Sequence, residues 1–390
     1  MTHKGESRLY SFIIWEKSRK KTDHILDDLK KNFVIRDIYE VRWSKENFVN
    51  NLHRFYGLPD VRQKVKVGGT GPFLLILISD PHPRFEEVRV SNEKDIVNVN
   101  IYDSKMKYRK WIGGEFVIHS SISEKETNHD LTLLFGKNAQ DLEKELPERW
   151  NGSIKKLESD LIGHNGWKDM RQLLYVLNGT MKYVVMRNFE DMPDKSDYRD
   201  RDVDILAEDM KTSYVIDKDF SNQIFNTHFH FVKIDDRVIL FDITYLGGHY
   251  FDKKWCKNIL KRRVLHHNGF YVPCKEDYFY TLLYHVVFHK RFSDKYKKKL
   301  SNLARELGIN EATEGIFSDY NKSKEFLEKY MNKMGYRNTT SFQYRIIYTE
   351  FQWLVRVSII IAKTQGIRAL FTAILKRIAF QVKSGPNFLV

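Results

Sequence analysis

The apolar run FLLILIS, residues 73–79, restricts the fold of this chain more than any other stretch. It follows the segment GGTGP, whose Gly and Pro residues indicate a turn, and its length and composition predict a buried strand. Two further apolar segments, residues 9–16 and 34–43, precede it and are also typical of strands. The first part of the chain is therefore predicted to be built around a sheet.

Segments with helical spacing lie between these strands. Residues 22–33 place Ile25, Leu29 and Phe33 on one face, and Ser44 is a suitable N-cap for a second helix. Another helix is predicted from residue 122 onward. The order strand, helix, strand, helix, strand is that of a ferredoxin-like unit, so we predict an α+β fold that begins with such a domain.

The chain has 390 residues, which suggests two domains of ordinary size. Apolar residues make up 42% of it, enough for real cores. The polar segment 138–152, with Pro147 and Gly152, predicts a boundary. We therefore expect three parts, which are a ferredoxin-like domain over 1–145, a mixed-sheet domain with a helical part over 146–340, and a basic tail over 341–390.

The formal net charge of +14 favours anionic partners, such as a phosphorylated donor, nucleic acid or a membrane surface. The alternative is an ordinary enzyme whose surface carries mixed Lys and Arg residues, which gives the same positive net charge without an anionic partner. Cys256 and Cys274 are too few for a disulfide framework, so a reducing compartment is expected. The N-terminal apolar run is too short for a signal peptide, and a cytoplasmic location is predicted.

The tail from 345 to 383 is basic and amphipathic. Its single acidic residue is Glu350, and apolar residues alternate with its Arg and Lys side chains. A helix of this kind can lie on an anionic membrane, which predicts a peripheral position at the inner face. The alternative is a terminal helix docked on the core or on a second subunit.

The segment DRDVDILA, residues 200–207, raises the question of a metal site. In a strand, Asp202 and Asp204 point to the same face and can hold divalent ions together. A third carboxylate is usually needed, and Asp242 lies between Phe241 and Ile243 in a later strand, where an unpaired charge is costly. Oxygen ligands of this kind suit Mg²⁺ or Mn²⁺. The alternative is that the pair is only the polar face of an ordinary strand.

The order of a helix, YVVMRNFEDMP, DRDVDIL and then FDITYLG resembles the nucleotidyltransferase (polymerase-beta-like) superfamily. The resemblance covers about 163–290 and implies that Asp202, Asp204 and Asp242 are catalytic metal ligands. That superfamily usually has Gly-Ser at the turn before the paired aspartates, where MRNFEDMP stands here. The substitution resembles branches that act on sugars and surface glycans. Arg187 and Asn188 are then expected to donate hydrogen bonds to a phosphate.

Basic residues of the following helical section are candidates for holding the donor, Lys290 among them. His285 and His289 have the i, i+4 spacing of zinc ligands, yet no Glu follows His285, so we predict packing or phosphate contact. His228 and His230 alternate on a strand and are predicted to be exposed.

The segment FVIHSSISEKETNHDLTLLFG, residues 116–136, resembles the end of nucleoside diphosphate kinases, where a phosphorylated His leads into a helix. With the upstream order, the resemblance covers most of 9–136 and implies that His119 is a phosphoryl acceptor. Lys107, Arg109 and Lys110 are candidates for donating hydrogen bonds to the phosphates. Trp15 stands where that family has a Lys, and the alternative is a repurposed fold used for binding or assembly.

Together these features predict a Mg²⁺-dependent transferase. It would move a phosphate-linked group from a nucleotide or nucleotide-activated donor to a sugar or surface-glycan acceptor in cell-surface polysaccharide biosynthesis. The alternatives are a catalytically inactive scaffold that binds nucleotide or a partner, and a nucleic-acid-directed nucleotidyltransferase. Nothing in the sequence resembles an RNA-reading module, which argues against the last.

Overall fold

The computed structural model describes residues 9–90, 93–193, 202–216, 229–248, 250–289 and 292–339. The strands within these ranges are β1 (Leu9–Ile14), β2 (Val34–Val41), β3 (Phe73–Ser79), β4 (Phe85–Val90), β5 (Glu93–Asn98), β6 (Ile118–Ser120), β7 (Lys155–Leu157), β8 (Tyr183–Val185), β9 (Val203–Ala207), β10 (Phe229–Ile234), β11 (Arg237–Tyr245), β12 (Val264–Leu265) and β13 (Tyr271–Val272).

A 3-10 helix covers Glu16–Lys21. The α-helices in the described ranges are α1 (Thr22–Asn32), α2 (Phe48–Tyr56), α3 (Arg62–Gly68), α4 (Val99–Ile112), α5 (Glu124–Phe135), α6 (Ala139–Glu143), α7 (Met170–Thr180), α8 (Lys211–Ile216), α9 (Lys253–Lys261), α10 (Lys275–His289), α11 (Asp294–Glu306), α12 (Glu314–Phe317) and α13 (Tyr320–Met334). The predicted α+β class is confirmed.

The first sheet has the strand order β6-β1-β3-β2-β7. The pairs β1–β3, β2–β3 and β1–β6 are antiparallel, and β7 joins the edge of β2 in parallel. Every residue of β1 and the first six residues of β3 are buried. The run FLLILIS is therefore a central strand, because an apolar side chain at every position needs cover on both faces of the sheet.

Helices α1 and α4 cover one face of this sheet. Their core includes Phe12 and Ile76 from the sheet, Ile25 and Leu29 from α1, and Tyr108 from α4. The spacing of Ile25 and Leu29, four residues apart on α1, is what places both side chains on the face toward the sheet.

A second sheet has the order β10-β11-β9-β8 and is mixed. Strands β11 and β9 are parallel, whereas β10–β11 and β8–β9 are antiparallel. All five residues of β9 are buried, which fixes this strand at the centre of the arrangement. Helix α7, which begins after the N-cap Asp169, leads directly into β8.

The described residues form two compact units. The first contains both sheets, up to Gly248, together with 253–278, and the second contains 250–252 and everything from Phe279 onward. The predicted boundary near residue 145 falls inside the first unit and before β7, which still belongs to the first sheet. In the second unit, Tyr280 of α10 stacks on Tyr330 of α13, with an interplanar angle of 5°. None of the described helices has the length and apolar character needed to cross a membrane.

Candidate functional site

The three aspartates singled out in the sequence meet at one place on the second sheet. Asp204 of β9 and Asp242 of β11 are register partners in the parallel pair, so they lie side by side on neighbouring strands. Asp202 precedes Asp204 by two residues and therefore shares its face. One carboxylate oxygen from each of the three residues lies within 4.8 Å of the others. We call this group the aspartate cluster.

The three carboxylates differ in exposure. Asp204 is buried, Asp242 is partly buried, and Asp202 is the most exposed of the three. Within the described residues, this is the one group of three or more His, Cys, Asp or Glu side chains close enough to share a metal ion. Three hard oxygen donors with one open side fit Mg²⁺ or Mn²⁺, which keep several waters and bridge to phosphates.

Arg187 binds the buried member of the cluster. Strand β8 pairs with β9, and the Met186 amide donates to the Asp204 carbonyl at 2.9 Å, which brings the next residue alongside Asp204. The Arg187 Nε donates to Asp204 Oδ2 at 3.1 Å, and a terminal guanidinium nitrogen donates to Oδ1. Both side chains are largely buried, at 12% and 8% exposed. A bidentate guanidinium fixes the plane of the carboxylate.

The turn after β8 is held by contacts on both sides. Asn188 has a φ of 55°, a left-handed conformation that Asn tolerates better than most residues. Phe189 packs on Tyr278 with ring centroids 4.7 Å apart, and the Tyr278 hydroxyl donates to Glu190 at 2.8 Å. Asn268 donates to the Met192 carbonyl at 2.6 Å. The segment 186–193 after β8 is thus packed in place beside the cluster.

His119 lies on β6, opposite Ile13 of β1, and faces a buried carboxylate. Its Nε2 is 2.6 Å from Asp130 Oδ2, and His129 Nδ1 is 3.2 Å from the other oxygen. Burial alone would raise the pKa of Asp130, but the two histidines outweigh it and hold that pKa at about 2. Asp130 therefore stays ionised and orients the imidazole of His119, whose Nδ1 is left as its second functional atom.

Three basic side chains surround this histidine. Lys105 donates to the Ser120 carbonyl at 2.9 Å, and Arg109 donates to the Ile118 carbonyl at 3.3 Å, one on each side of His119. The Lys64 Nζ lies 3.6 Å from the centroid of the Tyr56 ring, which itself packs edge-on against His119. Burial, together with Arg109 and Lys105, lowers the pKa of Lys64 to about 8.

Sequence reasoning found only part of this set. Arg109 lies beside His119, whereas Lys107 pairs with Asp28 at 2.5 Å and Lys110 is exposed. Nothing in the sequence pointed to Lys64 and Lys105. A lysine on a helix has the same local pattern whether packing buries its side chain or leaves it exposed. Trp15, just after β1, is buried and packs on Phe73 with ring centroids 4.7 Å apart.

The two candidate sites lie at opposite ends of β9. The aspartate cluster is at its start, and Glu208, just past its end, lines a cavity with His119 and Asp130. Asp204 and Glu208 are four residues apart, about 13 Å along a strand. The two sites therefore do not share reacting atoms.

The remaining predicted residues have separate outcomes. His285 accepts or donates a hydrogen bond with the Tyr250 hydroxyl at 2.8 Å and packs near His289, in keeping with the packing role. His230 is 4% exposed, so the prediction that it is exposed was wrong. Lys290, His228 and the tail 345–383 lie outside the described residues.

Comparison of the chain with protein-family models, with curated proteins and with solved structures finds no match.

Proposed function

We propose that this chain is a Mg²⁺- or Mn²⁺-dependent transferase of the nucleotidyltransferase type. It would move a phosphate-linked group from a nucleotide-activated donor to a sugar or surface-glycan acceptor, in the cytoplasm at the inner face of the membrane, as part of cell-surface polysaccharide biosynthesis. The observation that carries the proposal is the meeting of Asp202, Asp204 and Asp242 within 4.8 Å on neighbouring parallel strands.

The residues divide the work as follows. Asp202, Asp204 and Asp242 would hold the metal, and Asp242 would lie toward the acceptor hydroxyl. When bound, the metal supplies charge neutralisation for the donor phosphates and lowers the pKa of that hydroxyl. Arg187 and Asn188, on the turn beside the cluster, would donate hydrogen bonds to a phosphate for in-line attack on phosphorus. Lys290 remains a predicted contact of the donor.

The fold gives this proposal a second kind of support. The second sheet is a small mixed sheet whose two central strands, β9 and β11, are parallel and carry Asp204 and Asp242 side by side, with Asp202 just before β9. The first sheet has the order β6-β1-β3-β2 with antiparallel neighbours, which supports a ferredoxin-like N-terminal domain.

The test is binding of nucleotide to the full chain with and without Mg²⁺. CTP, UTP and ATP would be titrated by calorimetry into wild type, Asp204→Asn and Asp242→Asn, with Asp236→Asn in the exposed β10–β11 turn as the matched control. We expect Mg²⁺-dependent binding of at least one nucleotide, lost in the two cluster variants and kept in the control. Binding that is equal in all four proteins would refute the metal site and leave the inactive scaffold. Salt-sensitive RNA binding that depends on Asp204 would favour the nucleic-acid-directed alternative.

A second candidate activity rests on the His119–Asp130 contact of 2.6 Å. We propose that His119 Nδ1 accepts a phosphoryl group from a nucleoside triphosphate, with the bond to the β-phosphate oxygen breaking and the diphosphate leaving. Lys64, Lys105 and Arg109 would supply positive charge nearby.

The check is incubation with γ-labelled ATP, followed by acid and alkali treatment, for wild type, His119→Gln and His129→Gln. An acid-labile, alkali-stable label lost only in His119→Gln is expected. The same label in His119→Gln, or none in wild type, would rule out this activity.

A further inference from the structure

Strands β4 and β5 form a two-stranded antiparallel ribbon that belongs to neither of the large sheets. Its inner face packs on the core of the first sheet through Val88, Val90 and the fully buried Val97. Its outer face carries Phe85 and Ile96, whose side chains are 52% and 64% exposed. The outer face is therefore the uncovered side of the ribbon, and it includes two large apolar residues.

The outer edge of β4 presents main-chain groups that the ribbon itself does not use. The ladder continues to Arg84, whose carbonyl accepts from the Val99 amide at 2.9 Å. Because the hydrogen bonds of an antiparallel pair alternate, every second residue of β4 counted from Arg84 bonds to β5, and the residues between them point their amides and carbonyls away from it. These outward-pointing residues are Phe85, Glu87 and Arg89. Among the described residues, no strand pairs with this side of β4.

The outer edge of β5 is already occupied at two positions. The Asn98 amide donates to the Ile122 carbonyl at 2.8 Å, and the Ile96 amide donates to the Asp95 carboxylate at 2.9 Å. As far as the described residues define the ribbon, its open edge is therefore that of β4. Native proteins usually protect an open edge, because it can pair with a strand of another chain.

Charged side chains are one such protection, but the charges of β4 do not repel a second copy of the same strand. Arg89 lies directly opposite Lys94 of β5, and like charges in this position are unfavourable. Lys94 forms an ion pair with Glu87, and Arg89 has no ion pair with any described residue. A carboxylate on the other side of Arg89 would compensate its charge, and Glu87 of another copy supplies one.

We propose that β4 pairs with β4 of a second copy of this chain, antiparallel and about a two-fold axis at Val88. In this register Glu87 of each copy lies opposite Arg89 of the other. Both residues point their main-chain groups outward, so each of these pairs also forms its main-chain hydrogen bonds. The neighbouring registers, centred on Glu87 or on Arg89, set a charge opposite its own copy, so electrostatics selects the register at Val88. A two-fold contact of this kind closes on itself as a dimer.

The same register also brings apolar groups together. Val88 lies opposite Val88 of the second copy, at a position without main-chain hydrogen bonds, where the side chains of an antiparallel pair come closest. Val88 is only partly buried in the single chain, so the pairing covers it further. On the outer face, Phe85 becomes the diagonal neighbour of Arg89 of the second copy, within reach of its aliphatic stem. The two ribbons together form a four-stranded sheet.

The test is sedimentation velocity of the full chain over a range of concentrations, with two charge-reversal variants. Glu87→Arg sets two arginines opposite each other across the two-fold axis, and Arg89→Glu sets two glutamates opposite each other. Each variant alone should dimerise at least about tenfold more weakly than wild type. An equal mixture of the two variants should recover the dimer, because each strand then meets its charge complement. Glu46→Arg makes the same change of charge at an exposed position outside the ribbon and is the matched control.

We expect a dimer for wild type, for the control and for the mixture. Wild type that remains monomeric at about 100 µM would overturn the proposal. So would a dimer that both single variants keep, or a mixture of folded variants that does not associate.

Hydrogen exchange gives a second measurement on the same proteins. The amides of Glu87 and Arg89 should exchange more slowly as the concentration of wild type rises, because they donate across the two-fold axis only in the dimer. Protection of these amides in a monomer would show that another segment, such as 341–390, covers the edge, and would overturn the pairing of two copies. Neither measurement involves the aspartate cluster or His119, so the outcome is separate from that of the proposed function.

Discussion

Arg187 and Asp204 form a buried, bidentate ion pair at the centre of the aspartate cluster. The Arg187 Nε donates to Asp204 Oδ2 at 3.1 Å, and a second guanidinium nitrogen reaches the other oxygen. A protein cation thus already holds one of the three carboxylates that would hold a metal. The pair links the residue expected to contact the donor phosphate with a residue expected to contact the metal.

This pair predicts that Arg187 weakens metal binding. In Arg187→Gln, the guanidinium no longer repels a divalent ion a few ångströms away, and we expect the affinity for Mn²⁺ to rise about tenfold or more. The metal-free variant should be less stable, because a buried carboxylate loses its partner. Both effects are measured with Mn²⁺ titrations followed by electron paramagnetic resonance and with thermal unfolding.

Arg237→Gln is the control for this experiment, since Arg237 is an exposed arginine at the start of β11. It removes the same charge from the strand that carries Asp242 and should leave Mn²⁺ binding near that of wild type. If Arg187→Gln bound Mn²⁺ no better than Arg237→Gln, the guanidinium would not compete with the metal.

The depressed pKa of Asp130 predicts a pH dependence of stability. Its folded-state pKa is about 2, below the usual value near 3.9 in an unfolded chain. The stabilisation is therefore complete above about pH 4 and is lost as the pH falls toward 2. Asp130→Asn should lower the free energy of unfolding by about 2 kcal/mol at pH 7, with a difference from wild type that shrinks between pH 4 and 2.

Urea unfolding at pH 7, 4 and 2.5 measures that difference, with the exposed Asp95→Asn as the reference for removal of a carboxylate. A difference between Asp130→Asn and wild type that stayed constant over this range would show that the histidines do not stabilise the ionised form.

Lys64 destabilises the folded protein in its charged form, whereas ionised Asp130 stabilises it. Burial first, and then Arg109 and Lys105, lower its pKa to about 8, so the folded state disfavours its charged form. The unfavourable effect is complete below about pH 8 and disappears as the pH rises toward 10.4, so stability should increase over that interval. Lys64→Met should be more stable than wild type at pH 7 by about 1–2 kcal/mol, after allowance for solvent screening.

The measurement is urea unfolding between pH 7 and 10.5. Lys66→Met, an exposed lysine on the same helix, should follow wild type at every pH. A Lys64→Met protein that was less stable at pH 7, or that kept the rise above pH 8, would contradict the assignment.

Helices α5 and α7 pack closely at Gly179 and Thr132. A Cβ added at Gly179 would lie 2.3 Å from Thr132 Oγ1, which is itself buried without a partner among the described residues. Gly179→Ala should therefore destabilise the protein by about 1–3 kcal/mol, although Ala normally favours a helix. Adding Thr132→Ala should recover most of the loss, and the coupling is read from a double-mutant cycle by urea unfolding. Simple additivity of the two substitutions would count against this contact.

The strands that carry chemistry could be predicted because their signal is local. Asp202 and Asp204 share a face by the two-residue period, and Asp242 was recognised as a charge within an apolar strand. The register that sets Asp204 opposite Asp242 is a long-range property, yet the assumption that neighbouring strands bring these side chains together was enough to find it. Arg187 was placed near the cluster on the same basis, but its bidentate pairing with Asp204 depends on the turn after β8.

Other features depend on which face of a strand or helix packs against the core, and the sequence alone does not determine that face. His230 was expected to be exposed, but Val232 and Ile234 point the same way along β10 and are buried at 2% and 5%, so His230 goes inward with them. Lys64 and Lys105 belong to helices whose polar residues all look alike in the sequence. The cavity at His119 arises where two sheets come together, and no local pattern contains that information.

The five-residue strand β9 fixes the spacing between the aspartate cluster at its start and the His119 cavity at its end. A deletion or insertion of one residue within it would turn Asp204 to the opposite face and shift Glu208 and Lys211 by one position at the same time. The aspartate cluster and the His119 cavity are therefore tied to one register. Changes in the length of this strand cannot adjust one site without disrupting the other, so variation in either must come from the loops on each side.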